Sequence, residues 1–306
     1  MKASEFSPSI LVVIPAYNEQ DTIERVIEET RFCGPRLQDL GFDLHICVVD
    51  DGSTDATADV ARHVGVDHLI AHRLNRGLGA AVRSGLECGR SHDYDIVVKL
   101  DADGQHDPRD IPDLIHPIAN DEADVVYGNR FPRMTYRMPL VRRIGNALFR
   151  SLMRQLTQWD IVDSQPGIVA LSKTYLQVFS IAGDYNYTQQ ILVDAYHKGM
   201  RYDQVPVAFK ERTSGHSFVS MKYPFLALYQ IVMTLILARP LRVFLPIASV
   251  FLGGAGLVVV TELILWMNGI GEKPVEHVNL VLGLTILGVN TGYFGVLAEL
   301  VVRHRS

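Results

Sequence analysis

The sequence predicts an α/β domain on a largely parallel sheet, followed by a two-helix membrane hairpin. Over the first roughly 210 residues, short β-branched apolar runs alternate with helix-patterned stretches, as in strand–helix–strand units. Three of the runs end in polar turns: Pro15-Ala16-Tyr17-Asn18-Glu19, Asp50-Asp51-Gly52-Ser53 and Asp101-Ala102-Asp103-Gly104-Gln105. Beyond them, Val243–Thr261 and Val278–Ala298 carry no charge, and each reaches with its neighbours the ~20 residues that span a bilayer as a helix.

Taken in order, Ile10–Ile14 is a strand ended by Pro15, and Asn18 caps a helix with an acidic first turn that runs toward Thr30. Leu44–Val49 is the second strand, and its acidic end turns the chain and caps a helix over Ala56–Val64. Asp67–Ala71 is a short third strand, and Gly77-Leu78-Gly79 opens a helix from Ala80 to Gly89. Tyr94–Leu100 is a buried strand running into Asp101, and Asp124–Tyr127 is another. Ligands of open α/β sheets sit outside the carboxyl ends of the strands, so the three polar turns are expected to line one crevice.

Of 306 residues, 48% are apolar, enough for one large core or two modest ones. The net charge of −5 and the lack of a basic stripe argue against nucleic acid as a partner. Cys33, Cys47 and Cys88 show neither CxxC pairing nor metal-ligand spacing and read as buried thiols in a reducing compartment. No apolar signal core occupies Met1–Ile10, which places the N-terminus in the cytoplasm.

Arg239 and Arg242 precede the first apolar run, Arg303 and Arg305 follow the second, and the linker Asn268–His277 is acidic on balance. The positive-inside rule therefore puts both termini on the cytoplasmic side. Between Tyr223 and Ala238 the chain is uncharged but too short to span, and reads as an interfacial helix. The expected organisation is a cytoplasmic catalytic domain over 1–222, a juxtamembrane helix over 223–240 and a membrane unit over 241–302, with spans at about 242–266 and 278–302. Carboxylates are costly in such spans. Glu299 is expected to pair with Arg303, and Glu262 to face headgroups at the far interface, a contact between protomers being the alternative.

The Asp101-x-Asp103 turn, with the amide of Gln105, suits a hard divalent cation that shares its shell with phosphate oxygens. A calcium EF-hand is excluded, because its sixth and twelfth positions counted from Asp101 hold His106 and Pro112. The dinucleotide fingerprint is missing after the first strand, and no P-loop occurs, so neither a dehydrogenase nor an NTPase is supported.

Four ordered blocks resemble the inverting family-2 glycosyltransferases of GT-A fold: Val13–Glu19, Val48–Asp55, Asn75–Gly79 and Asp101–Gln105. The Asp-Ala-Asp-Gly-Gln ending and the membrane tail make the chain similar to dolichyl-phosphate mannose synthase and its polyprenyl-phosphate relatives, over roughly residues 8–222. The resemblance implies that Pro15, Tyr17, Asn18, Glu19 and Ala102 hold the nucleotide, with Asp50 or Asp51 on the base. It implies that Asp101, Asp103 and Gln105 hold Mg²⁺ or Mn²⁺, with Asp101, Asp103, Arg130 and Arg212 as the catalytic set. Donor and acceptor phosphates fall to Arg130, Arg142, Arg143, Arg212, Ser217 and Lys222, since a guanidinium binds phosphate oxygens in pairs. The chain departs from the family at Asn129, at Ile168-Val169 and at Phe218, where the family has serine, an aromatic–basic pair and lysine.

The implied reaction moves a hexose, mannose or glucose, from a GDP- or UDP-sugar to a polyprenyl or dolichyl phosphate on the cytoplasmic membrane face. Rival readings are transfer to another lipid acceptor and a non-catalytic membrane scaffold. A processive polysaccharide synthase is disfavoured, because neither Trp159 nor Trp266 follows an arginine as its polymer-binding motif requires. Relatives that glycosylate a hydroxyl carry an acidic base where this chain has Tyr185-Asn186-Tyr187-Thr188-Gln189-Gln190. A phosphate monoester is largely dianionic at pH 7 and needs no base, which favours a phosphate acceptor.

Overall fold

A computed structural model describes residues 7–134, 140–181, 187–210 and 239–303, together with 229, 232, 233 and 236. Contacts divide the chain into two units, Met1–Pro224 and Phe225–Ser306.

The first unit holds a seven-stranded sheet: β1 (Ser9–Ala16), β2 (Asp43–Asp50), β3 (His68–Ala71), β4 (Ile96–Leu100), β5 (Val125–Met134), β6 (Ile168–Ser172) and β7 (Tyr202–Phe209), in the order β3-β2-β1-β4-β6-β5-β7. Every pairing is parallel except the two made by β6. Helices α1 (Ile23–Arg31), α2 (Gly34–Asp39), α3 (Thr57–Val64), α4 (Leu78–Ser91), α5 (Ile111–Ala119), α6 (Leu140–Thr157), α7 (Lys173–Val178) and α8 (Tyr187–His197) complete the unit. In β1 every residue from Ile10 to Ala16 is buried, as expected for a central strand covered on both faces. The chain steps outward from β1 through β2 to β3, then returns to the other side of β1 as β4. That reversal leaves a crevice between the carboxyl ends of β1 and β4, where such folds bind ligands.

Two local expectations are corrected. Pro15 does not end β1, because Ala16 continues in register with Asp50 and its carbonyl accepts from Asp51 N at 2.8 Å. Asn18 does not cap α1; it sits in the left-handed region (φ 54°), and its side chain accepts from Thr54 N at 2.9 Å. The helix begins at Ile23, after Thr22, whose hydroxyl donates to the Glu19 carboxylate at 2.9 Å.

The second unit contains α9 (Leu241–Met267) and α10 (Val278–Arg303), both long and apolar enough to cross a membrane. They pack through small residues: a Cβ on Gly288 would lie 2.7 Å from Leu252 Cγ, and one on Gly295 the same distance from Phe244 Cβ. Only 11% of the most apolar window of each helix is buried, unlike the core helix of a soluble protein. Ser249, Thr261 and Thr285 donate their hydroxyls to carbonyls one turn back, which spares them an unsatisfied donor in an apolar setting. The Glu262 carboxylate accepts from Glu276 N at 2.8 Å and pairs with His277 Nδ1 at 2.5 Å, closing the loop that connects the two helices. Glu299 accepts from Leu241 N at 3.4 Å, and its expected partner, the Arg303 side chain, lies outside the described residues. Of the expected interfacial helix over 223–240, only Tyr229, Val232, Met233 and Ile236 are described before Arg239, all helical.

Candidate active site

Adjacent strands bring the three polar turns together. β2, β1 and β4 lie side by side, so the segments after Asp50, Ala16 and Leu100 share one edge of the sheet. The first two turns are laced by hydrogen bonds: Asn18 N donates to Ser53 Oγ, and Glu19 N to Thr57 Oγ1, each at 2.9 Å. Gln20 N donates to Asp55 Oδ2 at 3.2 Å, and Ala56 N returns to Gln20 Oε1 at 3.0 Å. Tyr17 stands on this frame with 44% of its surface exposed, leaving an aromatic face for stacking.

The two aspartates after β2 divide their work. Asp51 is buried and accepts from Gly77 N at 2.7 Å, Arg76 N at 3.0 Å and His72 Nδ1 at 2.7 Å, fastening the loop that opens α4. Asp50 is also buried and accepts from Ser53 N at 3.2 Å. Gly52 is required between them and the loop, since a Cβ there would stand 2.6 Å from Asn75 N, on a backbone of φ 71°.

After β4 the chain enters the Asp101–Gln105 turn. Lys99, fully buried, forms an ion pair with Asp101 Oδ1 and donates to Gly167 O at 3.1 Å. Its ammonium also lies 5.1 Å from the centre of the Tyr187 ring. Burial opposes this charge, but the Asp101 carboxylate outweighs it and holds the lysine above its ordinary range. Gly167 O accepts in addition from Asp101 N at 3.2 Å, so the start of β6 forms the floor of the turn. A Cβ on Gly167 would lie 2.6 Å from His106 Nε2 and closer still to Asp101 Oδ2. Those two atoms thus face one small space that only glycine leaves open.

His106 is buried, and neither ring nitrogen has a hydrogen-bond partner among the described residues. Burial pushes its pKa down to about 4, so the ring is a neutral donor-and-acceptor group at physiological pH. The ring packs against Phe209 with centroids 4.9 Å apart. Asp103 Oδ1 accepts from Gln105 N at 3.0 Å. Gln105 and Lys210 bind each other reciprocally, Nε2 to Lys210 O at 3.1 Å and Lys210 N to Gln105 O at 2.8 Å. Arg25 packs its guanidinium against Gly104, a basic contact to the turn that no motif announces.

Arg130, on β5, does not project freely toward the crevice. Its Nε pairs with the fully buried Asp163 at 2.9 Å, Nη2 donates to Asp163 Oδ1 at 3.3 Å, and the guanidinium lies 5.3 Å from the Phe209 ring centre. Burial raises the Asp163 carboxyl above its usual range despite the arginine. Arg143 is exposed on α6, and the Arg142 side chain is outside the described residues, as are Arg212, Ser217 and Lys222.

Of the site residues expected from sequence, Pro15, Tyr17, Asn18, Glu19, Asp50, Asp51, Asp101, Ala102, Asp103 and Gln105 occupy the adjoining strand ends. Lys99, His106, Asp163 and Gly167 were not among them. A lysine inside an otherwise apolar strand was the available signal for Lys99; the other three acquire their meaning only from tertiary contact.

Glucosyl-3-phosphoglycerate synthase from Mycobacterium tuberculosis, crystallised with Mn²⁺, UDP and glucosyl-3-phosphoglycerate, superposes with a TM-score of 0.58 at 24% identity, over 75% of this chain and 79% of that one. Among sequence relatives, the UDP-N-acetylglucosamine–dolichyl-phosphate N-acetylglucosaminyltransferase of Methanococcus voltae is 32% identical over 219 residues, 65% of this chain and 84% of the relative. The polyprenol monophosphomannose synthase of Mycolicibacterium smegmatis is 29% identical over 221 residues, 69% of this chain and 80% of the relative. The profile of "Glycosyl transferase family 2" matches residues 11–179, from β1 through α7, and so takes in each of the three polar turns. With its GT-A sheet and the strand-end motifs in their places, the chain belongs to glycosyl transferase family 2.

Proposed function

We propose that this glycosyltransferase moves a hexose from a nucleotide sugar to a polyprenyl or dolichyl phosphate at the cytoplasmic face of a membrane. The observation that carries the acceptor class is that Tyr185–Gln190, where a general base is expected, contains no carboxylate; the neighbouring Asp184 lies outside the described residues. Asp194, the described carboxylate that follows this stretch most closely in sequence, accepts from Tyr175 Oη at 2.9 Å and Ser180 N at 3.1 Å and pairs with Lys198 at 2.7 Å. A residue so committed holds α8 in place rather than taking a proton from a hydroxyl. A phosphate oxygen attacks without a base. The two relatives named for dolichyl phosphate and polyprenol monophosphomannose support the same class.

In this reading Tyr17 stacks on the base, and Asp50, whose carboxylate is less occupied than that of Asp51, accepts from base or ribose donors. The donor set around Asp101 fits a hard cation: Asp101 Oδ2 opens onto the space above Gly167, beside the unbonded Nε2 of His106. Asp101, Asp103 and Gln105 would hold Mg²⁺ or Mn²⁺, which when bound neutralises charge on the diphosphate oxygens. Lys99 fixes the Asp101 carboxylate from below, so the turn is positioned before the donor arrives. Arg143, Arg212 and Lys222, with the N–H groups that Arg130 retains beyond Asp163, supply charge for the acceptor phosphate. The phosphate oxygen forms its bond to C1 as the bond from C1 to the nucleotide diphosphate breaks on the opposite face, with inversion.

The exposed apolar faces of α9 and α10 support a two-span hairpin that keeps the catalytic unit at the leaflet bearing the lipid. The test presents detergent-solubilised full-length protein with GDP-mannose, UDP-glucose or UDP-N-acetylglucosamine, and with polyprenyl phosphate or the matching polyprenol. Product is expected on the phosphate and none on the alcohol. Efficient transfer to the free alcohol would overturn the acceptor class.

A further inference from the structure

On the far side of the sheet edge from the polar turns, at the start of β3, three metal-ligand side chains meet. His68 opens β3, and Cys88 and His92 stand one helical turn apart at the carboxyl end of α4. One donor atom from each lies within 4.8 Å of the others. The imidazoles of His68 and His92 are 4.5 Å apart between centroids, and Cys88 Sγ is 3.7 Å from His92 Nδ1. Cys47 on β2 is the register partner of His68 and brings a second thiol toward Cys88 beneath the cluster. In the sequence these residues show no metal-ligand spacing, because the parallel β2–β3 pairing and the packing of α4 assemble them.

We propose that His68, Cys88 and His92 form a zinc site that clamps the edge strand β3 to α4. Thiolate with imidazole is the donor chemistry that selects Zn²⁺ over the hard cations suited to the Asp101 turn. One ligand pair already stands at the separation of a filled site, while the three donor atoms together lie within 4.8 Å. Bonds of ~2.3 Å to sulfur and ~2.0–2.1 Å to nitrogen in a tetrahedron put the two ligand atoms about 3.6 Å apart, against the 3.7 Å between Cys88 Sγ and His92 Nδ1. His92 is exposed, so its other nitrogen can carry the ring proton into water while Nδ1 turns to the metal. The Cys88 carbonyl that Nδ1 now bonds at 2.9 Å keeps the backbone N–H of His92 at 3.1 Å. Zinc binding releases the Cys88 proton to solvent, and the fourth position takes water.

The test uses the full-length protein in detergent, stripped with a chelator and titrated with Co²⁺ as a spectroscopic substitute. The Asp101 turn offers no thiolate, so a thiolate-to-cobalt charge-transfer band reports this cluster alone. The expected result is a band that saturates at one equivalent, is abolished by Zn²⁺, disappears in Cys88→Ser and needs at least tenfold more Co²⁺ in His92→Asn. His92 is at the surface, so that variant folds; metal-free thermal unfolding checks both. Absence of the band at stoichiometric cobalt, or its survival in Cys88→Ser, overturns the proposal.

Discussion

Gly167→Ala tests how tightly the floor of β6 sets the Asp101 turn. The added methyl would stand 2.6 Å from His106 Nε2 and 2.7 Å from its Cδ2, where ordinary contact begins at 3.4 Å. His106 must therefore retreat by about 0.8 Å, and Asp101 Oδ2, which is closer, by more. Neither can do so freely: His106 packs on Phe209, and Asp101 is tied to the buried Lys99. Overpacking of this kind costs about 1–3 kcal/mol, or roughly 2–4 °C of Tm per kcal/mol in a unit of this size. A displacement near 1 Å at a positioned group costs on the order of 10²-fold in rate.

The assay is transfer of labelled sugar from the preferred donor to polyprenyl phosphate, run across a metal titration. The variant should lose about 100-fold in rate and need about 10–100-fold more metal for half of its remaining activity. Gly34→Ala is the control, since a Cβ there meets only Leu44 Cδ2 at 3.8 Å; it should keep wild-type activity and metal demand. If Gly167→Ala turned over at the wild-type rate with unchanged metal demand, the space above Gly167 would have no part in the reaction.

Three further outcomes are expected. Asp103→Ala should reduce transfer by more than about 100-fold, with Tm nearly unchanged, because the residue lies on a partly exposed turn; near-normal turnover would remove it from the metal set. A chain ending at Pro224 should keep a cooperative thermal transition, since the first unit has its own core, yet lose activity on a membrane-embedded acceptor. Equal activity with the full chain would leave the hairpin no role in presenting lipid. Arg201→Met addresses stability: burial alone would raise the Asp124 carboxyl, but hydrogen bonds from Arg201 hold it below its ordinary range. A depressed folded pKa gives stability above the unfolded value of ~3.9 that is lost as pH falls through the folded one. The Tm deficit of the variant should therefore be largest near pH 7 and shrink below about pH 4; a deficit constant with pH would dismiss the ion pair as its cause.

Much of the catalytic unit is legible in the chain because its signals are local. β-branched runs mark β1, β2 and β4, and the polar residues that follow them must lie at strand ends whatever the partners. Charge-free length likewise marks α9 and α10. The misread boundaries were those settled by long-range hydrogen bonds. Asn18 has the residue type of a helix cap, but Thr54, 36 residues on, claims its side chain.

By itself, then, the sequence determined the α/β class, the two apolar helices and the set of strand-end side chains, all consequences of local pattern and composition. Tertiary structure alone decided which of those side chains are already engaged. Asp51 and Asp50 are indistinguishable in the chain, yet only Asp51 is filled by backbone N–H groups from the loop before α4. Nothing in the sequence says that β5 brings Arg130 against Asp163, 33 residues away, which engages part of its guanidinium. His68 and Cys88 become neighbours because a strand and a helix pack together, not through any spacing. A side chain's chemistry is written in its residue type, but the partner that uses it up or leaves it available comes from elsewhere in the chain.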